Sequence, residues 1–271
     1  MINLSSFLEV ATATHQGMVR SHNEDSIVAD AEIGLAVLAD GMGGYNAGEV
    51  ASGIAVELIR VEMRKSLEGK NPGDLNGLHA EKLIKDHAKQ ANAAIFHAAQ
   101  SQPQYAGMGT TLVVAFWHDN QLSVGHVGDS RLYRMRASVL EQITRDHSLL
   151  QEQIDSGMIT KQQARQSANK NLVTRAFGID AEVETEVHTY PVLPGDIFLL
   201  CSDGLNDMVT DEDIQSTLAS LQANLPLAAQ QLVKQACDNG GRDNVSVILV
   251  RVLKEFSARA GTLGKLKSWF K

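Results

Sequence analysis

Four aspartates stand at the ends of apolar runs, each beside or within a glycine-containing turn, and this placement most directly indicates chemistry. The four are Asp40, Asp129, Asp203 and Asp243. A carboxylate at a strand end contributes little to packing. Carboxylates brought together by a sheet repel one another unless cations lie between them. The pattern therefore predicts a site for hard divalent metal ions with oxygen ligands, such as Mg²⁺ or Mn²⁺ rather than Zn²⁺.

A cation also belongs to this set of residues. Arg20 begins the segment Arg20-Ser-His-Asn-Glu24-Asp25, which precedes the second predicted strand. The guanidinium fork donates two parallel hydrogen bonds to an anion such as phosphate. The alternative role is a surface ion pair with Glu24. The neighbouring strand-end aspartates favour the phosphate-binding role.

The elements that must position these residues follow from hydrophobic periodicity. The helical period predicts three helices, at 46–67, 78–99 and 225–237. Shorter apolar segments predict strands at 9–14, 26–31, 35–39, 111–117, 122–127, 132–135, 184–190, 197–201 and 245–252. The two long helices are adjacent in sequence, and hairpin-like links join most strands. This order predicts antiparallel sheets with helices outside them.

A polar stretch separates the strands in the middle of the chain. Ser148 and Thr160 each begin a sequence that fits a capping box, which predicts two short helices within about 148–171. We interpret this stretch as a mobile flap that could contact a substrate. The alternative is an ordinary surface insertion.

Composition limits the class of protein. The 271 residues are 44% hydrophobic and 21% charged with a net charge of −8, which disfavours nucleic-acid binding. The chain lacks an apolar run of the roughly 20 residues that span a bilayer, and its start does not resemble a signal peptide. Cys201 and Cys237 lack metal-ligand spacing, so we expect reduced thiols. We therefore expect a cytoplasmic protein without a transmembrane segment.

The last segment, 254–271, differs from the rest in charge, because it contains five Lys or Arg residues and one Glu. Leu263, Leu266 and Phe270 share one helical face, which predicts a basic amphipathic tail that could contact a membrane surface or a partner. The alternatives are a frayed tail and a helix docked on its own domain.

Eight short motifs carry a resemblance to a known family. They are RSHNED at 20–25, DGMGG at 40–44, GTT at 109–111, GDSR at 128–131, TRDHS at 144–148, LVTRAFG at 172–178, CSDGLND at 201–207 and GGRDNVS at 240–246. In this order, across about 9–253, the chain resembles the type 2C metal-dependent protein serine/threonine phosphatases in their short bacterial form.

The resemblance implies an α+β fold in which two antiparallel sheets are flanked by helices, as a four-layer α/β/β/α sandwich. The metal centre would lie at one end of the sandwich. The catalytic domain would span 1–253, with the flap at about 148–171 and the tail at 254–271.

The resemblance also implies roles for individual residues. Asp40 would bridge two metal ions, the Gly41 carbonyl would complete the shell of one, and Asp203 and Asp243 would hold the other. Asp129 would help to hold a third, weaker ion. Arg20 would bind the substrate phosphate. Glu24 and Asp25 would lie behind the ligands and hold metal-bound waters, and Asn244 would lie beside them.

The implied activity is hydrolysis of phosphoserine and phosphothreonine by a hydroxide that bridges two Mg²⁺ or Mn²⁺ ions. The substrates would be phosphoproteins, products of a bacterial Ser/Thr kinase, and the enzyme would act as a monomer. Met42 stands where many relatives have a histidine assigned as general acid, so the proton donor stays unassigned. His22, His126 and His147 are candidates, although structural roles are favoured for all three.

Two other functions remain as alternatives. A non-catalytic pseudophosphatase would be a binding module, but it should lack at least one metal-binding aspartate. A metallohydrolase of small phosphates or nucleotides should place aromatic side chains beside the site for base stacking. Aromatic residues make up 5% of the chain.

Overall fold

The computed structural model describes residues 3–44, 47–70, 75–165, 167 and 172–257. The strands in these ranges are β1 (Leu8–His15), β2 (Asp25–Asp30), β3 (Leu35–Met42), β4 (Gly109–Thr110), β5 (Leu112–His118), β6 (Gln121–Val127), β7 (Arg131–Arg136), β8 (Val139–Gln142), β9 (Glu186–Pro191), β10 (Ile197–Cys201) and β11 (Val245–Val252). The helices are α1 (Ala47–Leu67), α2 (Gly77–Ser101), α3 (Leu149–Asp155), α4 (Lys161–Arg165), α5 (Asp203–Asn206), α6 (Asp211–Leu221) and α7 (Leu225–Asp238). A 3-10 turn follows α2 at Pro103–Tyr105.

The strands form two antiparallel sheets. The first has the order β1-β11-β10-β7-β8, and the second has the order β2-β3-β5-β6-β9 with β4 attached to β3. Strands β3, β5 and β6 are almost entirely buried. Their side chains alternate between the two faces of the sheet, so this sheet must be covered on both sides.

Three apolar clusters cover the two sheets. One lies between the two sheets and includes Trp117 and Phe198, whose rings meet edge to face at 5.7 Å. A second packs α1 and α2 on the sheet that contains β3. A third packs α6 and α7 on the sheet that contains β10. The predicted α/β/β/α sandwich is therefore confirmed.

Most predicted elements are confirmed, but the sequence reading missed α6. Its signals are present: the Thr210 hydroxyl accepts a hydrogen bond from Asp213 N, and Ile214 and Leu218 are buried one turn apart. Strand β8 was also missed. Its alternately exposed side chains carry little apolar signal.

The flap helices form as the capping boxes predict. Ser148 Oγ accepts from Gln151 N at 3.3 Å. Thr160 Oγ1 accepts from Gln163 N, and the Gln163 side chain accepts from Thr160 N at 2.8 Å. Together α3 and α4 form a short helical excursion between β8 and β9.

The predicted amphipathic tail lies mainly outside the described residues, which end at 257. Phe256, within the segment assigned to the tail, is buried beside Phe7 and belongs to the core between the sheets. The described helices include none that is long and apolar enough to cross a membrane. Cys201 and Cys237 are both free thiols.

Candidate metal centre

The strand-end aspartates come from both sheets and meet at one end of the sandwich. Asp40 lies within β3 and pairs in register with Asp25 of β2. Asp129 follows β6, Asp203 follows β10, and Asp243 precedes β11. The sequence prediction that the sheets would bring these residues together therefore agrees with their placement.

Their carboxylates interact electrostatically. Burial raises the pKa of Asp40 well above its usual range, and the charges of Asp25, Asp203, Asp129 and Asp243 raise it further. Burial likewise raises the pKa of Asp203, with Asp129 and Asp243 as the next causes. Burial and the neighbouring negative groups thus both disfavour the charged forms of Asp40 and Asp203. The cluster has the electrostatic character of a cation site.

Two carboxylate oxygens give a more specific test of a metal site. Asp25 Oδ2 accepts a hydrogen bond from Ser202 Oγ at 2.8 Å, but Asp25 Oδ1 has no partner among the described residues. Asp203 Oδ1 is also buried and unpartnered there. Buried acceptors are normally satisfied, so an unpaired oxygen within this carboxylate cluster fits an ion or a water as its partner. A set of carboxylate and carbonyl oxygens fits Mg²⁺ or Mn²⁺.

Backbone hydrogen bonds fix Asp40. Its N–H donates to Thr111 Oγ1 at 3.0 Å, and its carbonyl accepts from Thr110 Oγ1 at 2.8 Å. The next residue, Gly41, cannot carry a side chain, since a Cβ there would lie 2.2 Å from the Gly48 carbonyl oxygen. The Asp40–Gly41 pair is thus held between β4 and the start of α1.

Asn244 joins the loop before β11 to the loop between β1 and β2. Its Oδ1 accepts from Glu24 N at 2.8 Å, and its Nδ2 donates to the carbonyls of Gln16 and His22 at 3.0 and 2.8 Å. Nearby, a Cβ on Gly204 would lie 2.0 Å from the Asn244 carbonyl oxygen. The loops that carry Glu24, Asp203 and Asp243 are therefore packed on one another.

Arg20 lies at the edge of the cluster and is about half exposed. Its Nη2 donates to Asp243 Oδ2 at 2.7 Å, which replaces the ion pair with Glu24 considered from sequence. Glu24 is nevertheless close enough to raise the pKa of Arg20, as a smaller contribution than Asp243. A guanidinium has five N–H donors, so binding Asp243 leaves donors for a phosphate.

A cavity of about 300 Å³ opens beside Asp129 and Asp203. One wall consists of flap residues, and the others come from the β8–α3 link and the segment after β10. Its lining includes three further acidic residues, Asp146, Asp207 and Asp211. The flap therefore borders the space next to the metal-binding carboxylates.

The sequence reading missed the polar side chains that support the aspartates. Ser202 is fully buried, bonds Asp25, and also accepts from Ser246 N at 3.0 Å. Thr111 joins Asp40 to Ser130, since its hydroxyl lies 2.7 Å from Ser130 Oγ. Small hydroxyl residues inside or beside apolar strands were the available signal, because a buried hydroxyl needs a partner.

A second group of possible ligands is His126, His147 and Glu186, whose nearest ligand atoms lie within 4.8 Å of one another. His147 Nδ1 accepts a hydrogen bond from Gly128 N, so the proton of the neutral ring lies on Nε2 and points to Glu186 Oε1. Arg175 also donates to that oxygen. A metal on Nε2 would require an imidazolate beside a cation, so this group is better explained as hydrogen bonding.

The candidate proton donors differ in availability. His126 Nε2 bonds the Arg145 carbonyl at 2.8 Å, and burial lowers the pKa of His126. Both nitrogens of His147 are bonded, as described above. His22 is exposed, and its carbonyl accepts from Asn244. His126 and His147 thus have the structural roles that were favoured for them.

Comparisons with known proteins found similar sequences over most of the chain. The sequence profile of the family described as protein phosphatase 2C matches residues 14–236. The serine/threonine phosphatase stp of Listeria monocytogenes is 35% identical over 240 residues, which cover 88% of this chain and 93% of that protein.

Solved structures are similar over the same length. The crystal structure of the Mycobacterium tuberculosis serine/threonine phosphatase PstP/Ppp is 36% identical, with a TM-score of 0.82 over 91% of this chain and 99% of that one. The catalytic domain of PstP in complex with two manganese ions is 35% identical, with a TM-score of 0.80 over 92% of this chain and 99% of that one.

Proposed function

The chain belongs to the protein phosphatase 2C family, and on this basis we propose that it hydrolyses phosphoserine and phosphothreonine in proteins. We place the reaction at the end of this chain's sandwich where the aspartates meet. The family consists of metal-dependent hydrolases. The observation that supports this site best is the pair of buried, unpartnered oxygens on Asp25 and Asp203 within a cluster of carboxylates.

We assign the ligands as follows. Asp40 would serve both of two divalent ions, the Gly41 carbonyl would serve one of them, and Asp203 and Asp243 would serve the other. Asp129 contributes to a third and weaker site. Mn²⁺ and Mg²⁺ both suit these oxygen donors. The raised pKa values of Asp40 and Asp203 support the assignment, because a bound cation would favour the charged forms that burial and the neighbouring carboxylates disfavour.

When bound, two such ions supply an activated water nucleophile and shield the negative charge of the phosphate. The chain's own residues bind the phosphate and hold the carboxylates in position. Arg20 donates to phosphate oxygens from the edge of the cluster and stabilises the charge of the transition state. Asn244 and Ser202 hold the surrounding loops, so that the carboxylates stay in place during the reaction. Met42 cannot donate a proton to the leaving oxygen.

Glu24 and Asp25 lie behind the assigned ligands. The Glu24 carbonyl accepts from Gly41 N at 3.1 Å, and burial raises the pKa of Glu24. Burial also raises the pKa of Asp25 to about 6. We propose that both carboxylates orient waters around the ions, a role that Asn244 supports by holding the Glu24 backbone.

The proposed substrates are proteins phosphorylated by a Ser/Thr kinase of the same cell. A cytoplasmic monomer is the form we expect to act on them. The cavity beside Asp129 and Asp203 offers space for the residues that flank the phosphorylated side chain.

The decisive experiment is phosphate release from a phosphothreonine peptide by the purified full chain, with Mn²⁺, with Mg²⁺ and with excess chelator. We expect release that needs a divalent ion and that the Asp203→Asn variant lacks. A folded protein that releases no phosphate with either ion would contradict the proposal. Such a result would favour a non-catalytic binding module.

A further inference from the structure

His147 lies between Asp129 and the flap, where flap means residues 148–171. On one side it holds the residue before Asp129 through two hydrogen bonds. His147 N donates to the Gly128 carbonyl at 2.9 Å, and Gly128 N donates back to His147 Nδ1 at 3.2 Å. Gly128 has φ of +100°, a conformation that other residues rarely adopt, so this turn depends on local contacts.

On its other side His147 begins the base of the flap. Its carbonyl accepts from Thr174 N at 2.8 Å, Ser148 pairs with Val173, and Leu149 N donates to the Leu172 carbonyl at 2.9 Å. The segments 147–149 and 172–174, which meet at the base of the flap, are thus joined as a short antiparallel pair. Its first rung is His147 itself.

The imidazole is fixed from further directions. Its Nε2–H donates to Glu186 Oε1 at 3.1 Å, and Arg175 Nη1 donates to the same oxygen at 3.2 Å. The His126 ring stacks on it at 4.6 Å with planes 15° apart. The ring is buried, and each nitrogen has one defined partner. A side chain held in this way can fix the positions of the two segments that it contacts relative to each other.

We propose that His147 is a positioning residue that places the Asp129 carboxylate and the flap relative to each other. The proposal rests on the proposed function, since it concerns the weak metal site assigned to Asp129. If the imidazole is lost, the Gly128–Asp129 turn loses a hydrogen bond from its fixed support, and the flap base loses its link to Glu186. Metal binding at Asp129 and protection of the flap should then weaken together.

A matched pair of variants separates this role from simple packing. In His147→Asn, the side-chain Oδ1 takes the place of Nδ1 and still accepts from Gly128 N. In His147→Gln, the longer side chain can reach Glu186, but it does not place an acceptor opposite Gly128 N. Both variants are smaller than histidine and polar. A packing role therefore predicts similar behaviour for the two.

The first measurement is Mn²⁺ binding to the purified, metal-free full chain. The electron paramagnetic resonance signal of free Mn²⁺ reports how much of the ion stays unbound. Groups that orient metal ligands typically change affinity by about 10–100-fold when removed. We expect the weakest binding step to weaken about 10-fold in His147→Gln and to stay within about 3-fold of wild type in His147→Asn. The control Asp129→Ala should lose that step.

The second measurement is the rate of trypsin cleavage within the flap of the metal-free proteins. We expect faster cleavage in His147→Asn and in Glu186→Ala, which lose the bond to Glu186, and an intermediate rate in His147→Gln, which can keep the Glu186 bond but not the Gly128 bond. Equal Mn²⁺ binding by the Asn and Gln variants would overturn the proposal. Retention of the weak step in Asp129→Ala would overturn it as well.

Neither measurement needs phosphate release, so the two proposals fail separately. A wild-type chain that hydrolyses the phosphopeptide while His147→Gln binds Mn²⁺ like wild type would overturn only the positioning role. A wild-type chain that binds Mn²⁺ but hydrolyses nothing would overturn only the phosphatase proposal.

Discussion

Strand β10 has an aspartate near each end, and the two differ in how their buried oxygens are used. Asp196, directly before the strand, is 1% exposed and fully satisfied. Its Oδ1 accepts from Arg136 Nε at 2.7 Å, and its Oδ2 accepts from Arg136 Nη2 and Leu193 N at 2.6 and 2.8 Å. Asp203, two residues beyond the other end, has a buried Oδ1 without a partner among the described residues.

Burial of a carboxylate oxygen therefore does not by itself indicate a metal site. At Asp196 the chain supplies the cation, so the carboxylate is part of the structure. At Asp203 burial raises the pKa, and the charges of Asp129 and Asp243 raise it further. The compensating cation must therefore come from outside the chain.

The largest effect should come from Asp203→Asn. We expect the Mn²⁺-dependent kcat/KM for a phosphothreonine peptide to fall at least about 100-fold, since even groups that only orient metal ligands cost 10–100-fold. The melting temperature of the metal-free protein should not fall, because the change removes a repelled charge. Activity within about 3-fold of wild type would contradict the ligand role.

The opposite pattern should follow from Asp196→Asn. The change weakens the hydrogen bonds from the charged Arg136, so we expect a loss of about 2 kcal/mol in the free energy of unfolding. The kcat of the folded enzyme should not change. The control is Glu141→Gln, which breaks the exposed pair with Arg134 and should cost less than about 1 kcal/mol. Urea unfolding measures both.

The contrast between these two aspartates could not be read from the sequence. The apolar run at 197–201 and the turn after it predicted both strand β10 and the placement of Asp203. Asp196 follows Pro194-Gly195 and looks like an ordinary turn residue. Its partner Arg136 lies 60 positions away, and only the pairing of β10 with β7 brings the two together. Long-range pairing of this kind has no local signal.

Within the site, the sequence predicted the residue types better than their support. The aspartates were recognisable because charged residues at strand ends do not serve packing. The role of Asn244 as a link to Gln16, His22 and Glu24 depends on the loop before β11 meeting the loop between β1 and β2, which spacing alone does not encode. The same holds for Arg20, whose partner is Asp243 rather than the nearby Glu24.

A smaller, substrate-specific effect should come from Arg20. We expect Arg20→Ala to raise the KM for a phosphothreonine peptide about 10-fold, which corresponds to loss of a charged hydrogen bond of roughly 1.4 kcal/mol. The kcat should change less. Arg20→Lys keeps the charge but not the fork, so its KM should lie between the other two. Steady-state kinetics at saturating Mn²⁺ measure this split. An unchanged KM in the Ala variant would leave Arg20 as a partner of Asp243 only.

The smallest effect should come from Asp129→Asn in the metal-free protein, and it depends on pH. Burial raises the pKa of Asp129 to about 7, so the folded protein holds a proton there that the unfolded chain has released. The free-energy cost of burying the charged Asp129 carboxylate on folding is therefore largest above pH 7. This cost declines as the pH falls towards 3.8, the ordinary pKa of an aspartate.

Removal of this charge should raise the melting temperature of the metal-free protein by about 3 °C or more at pH 8, since roughly 1 kcal/mol shifts the midpoint by 2–4 °C in domains of 150–250 residues. The gain should be smaller at pH 5. Saturating Mn²⁺ should reverse the order at pH 8, because only the wild-type carboxylate gains from a bound ion. Calorimetry in chelator and in Mn²⁺ measures the change in melting temperature under both conditions. A variant that melts below wild type in chelator at pH 8 would mean that Asp129, like Asp196, already has its partner within the chain.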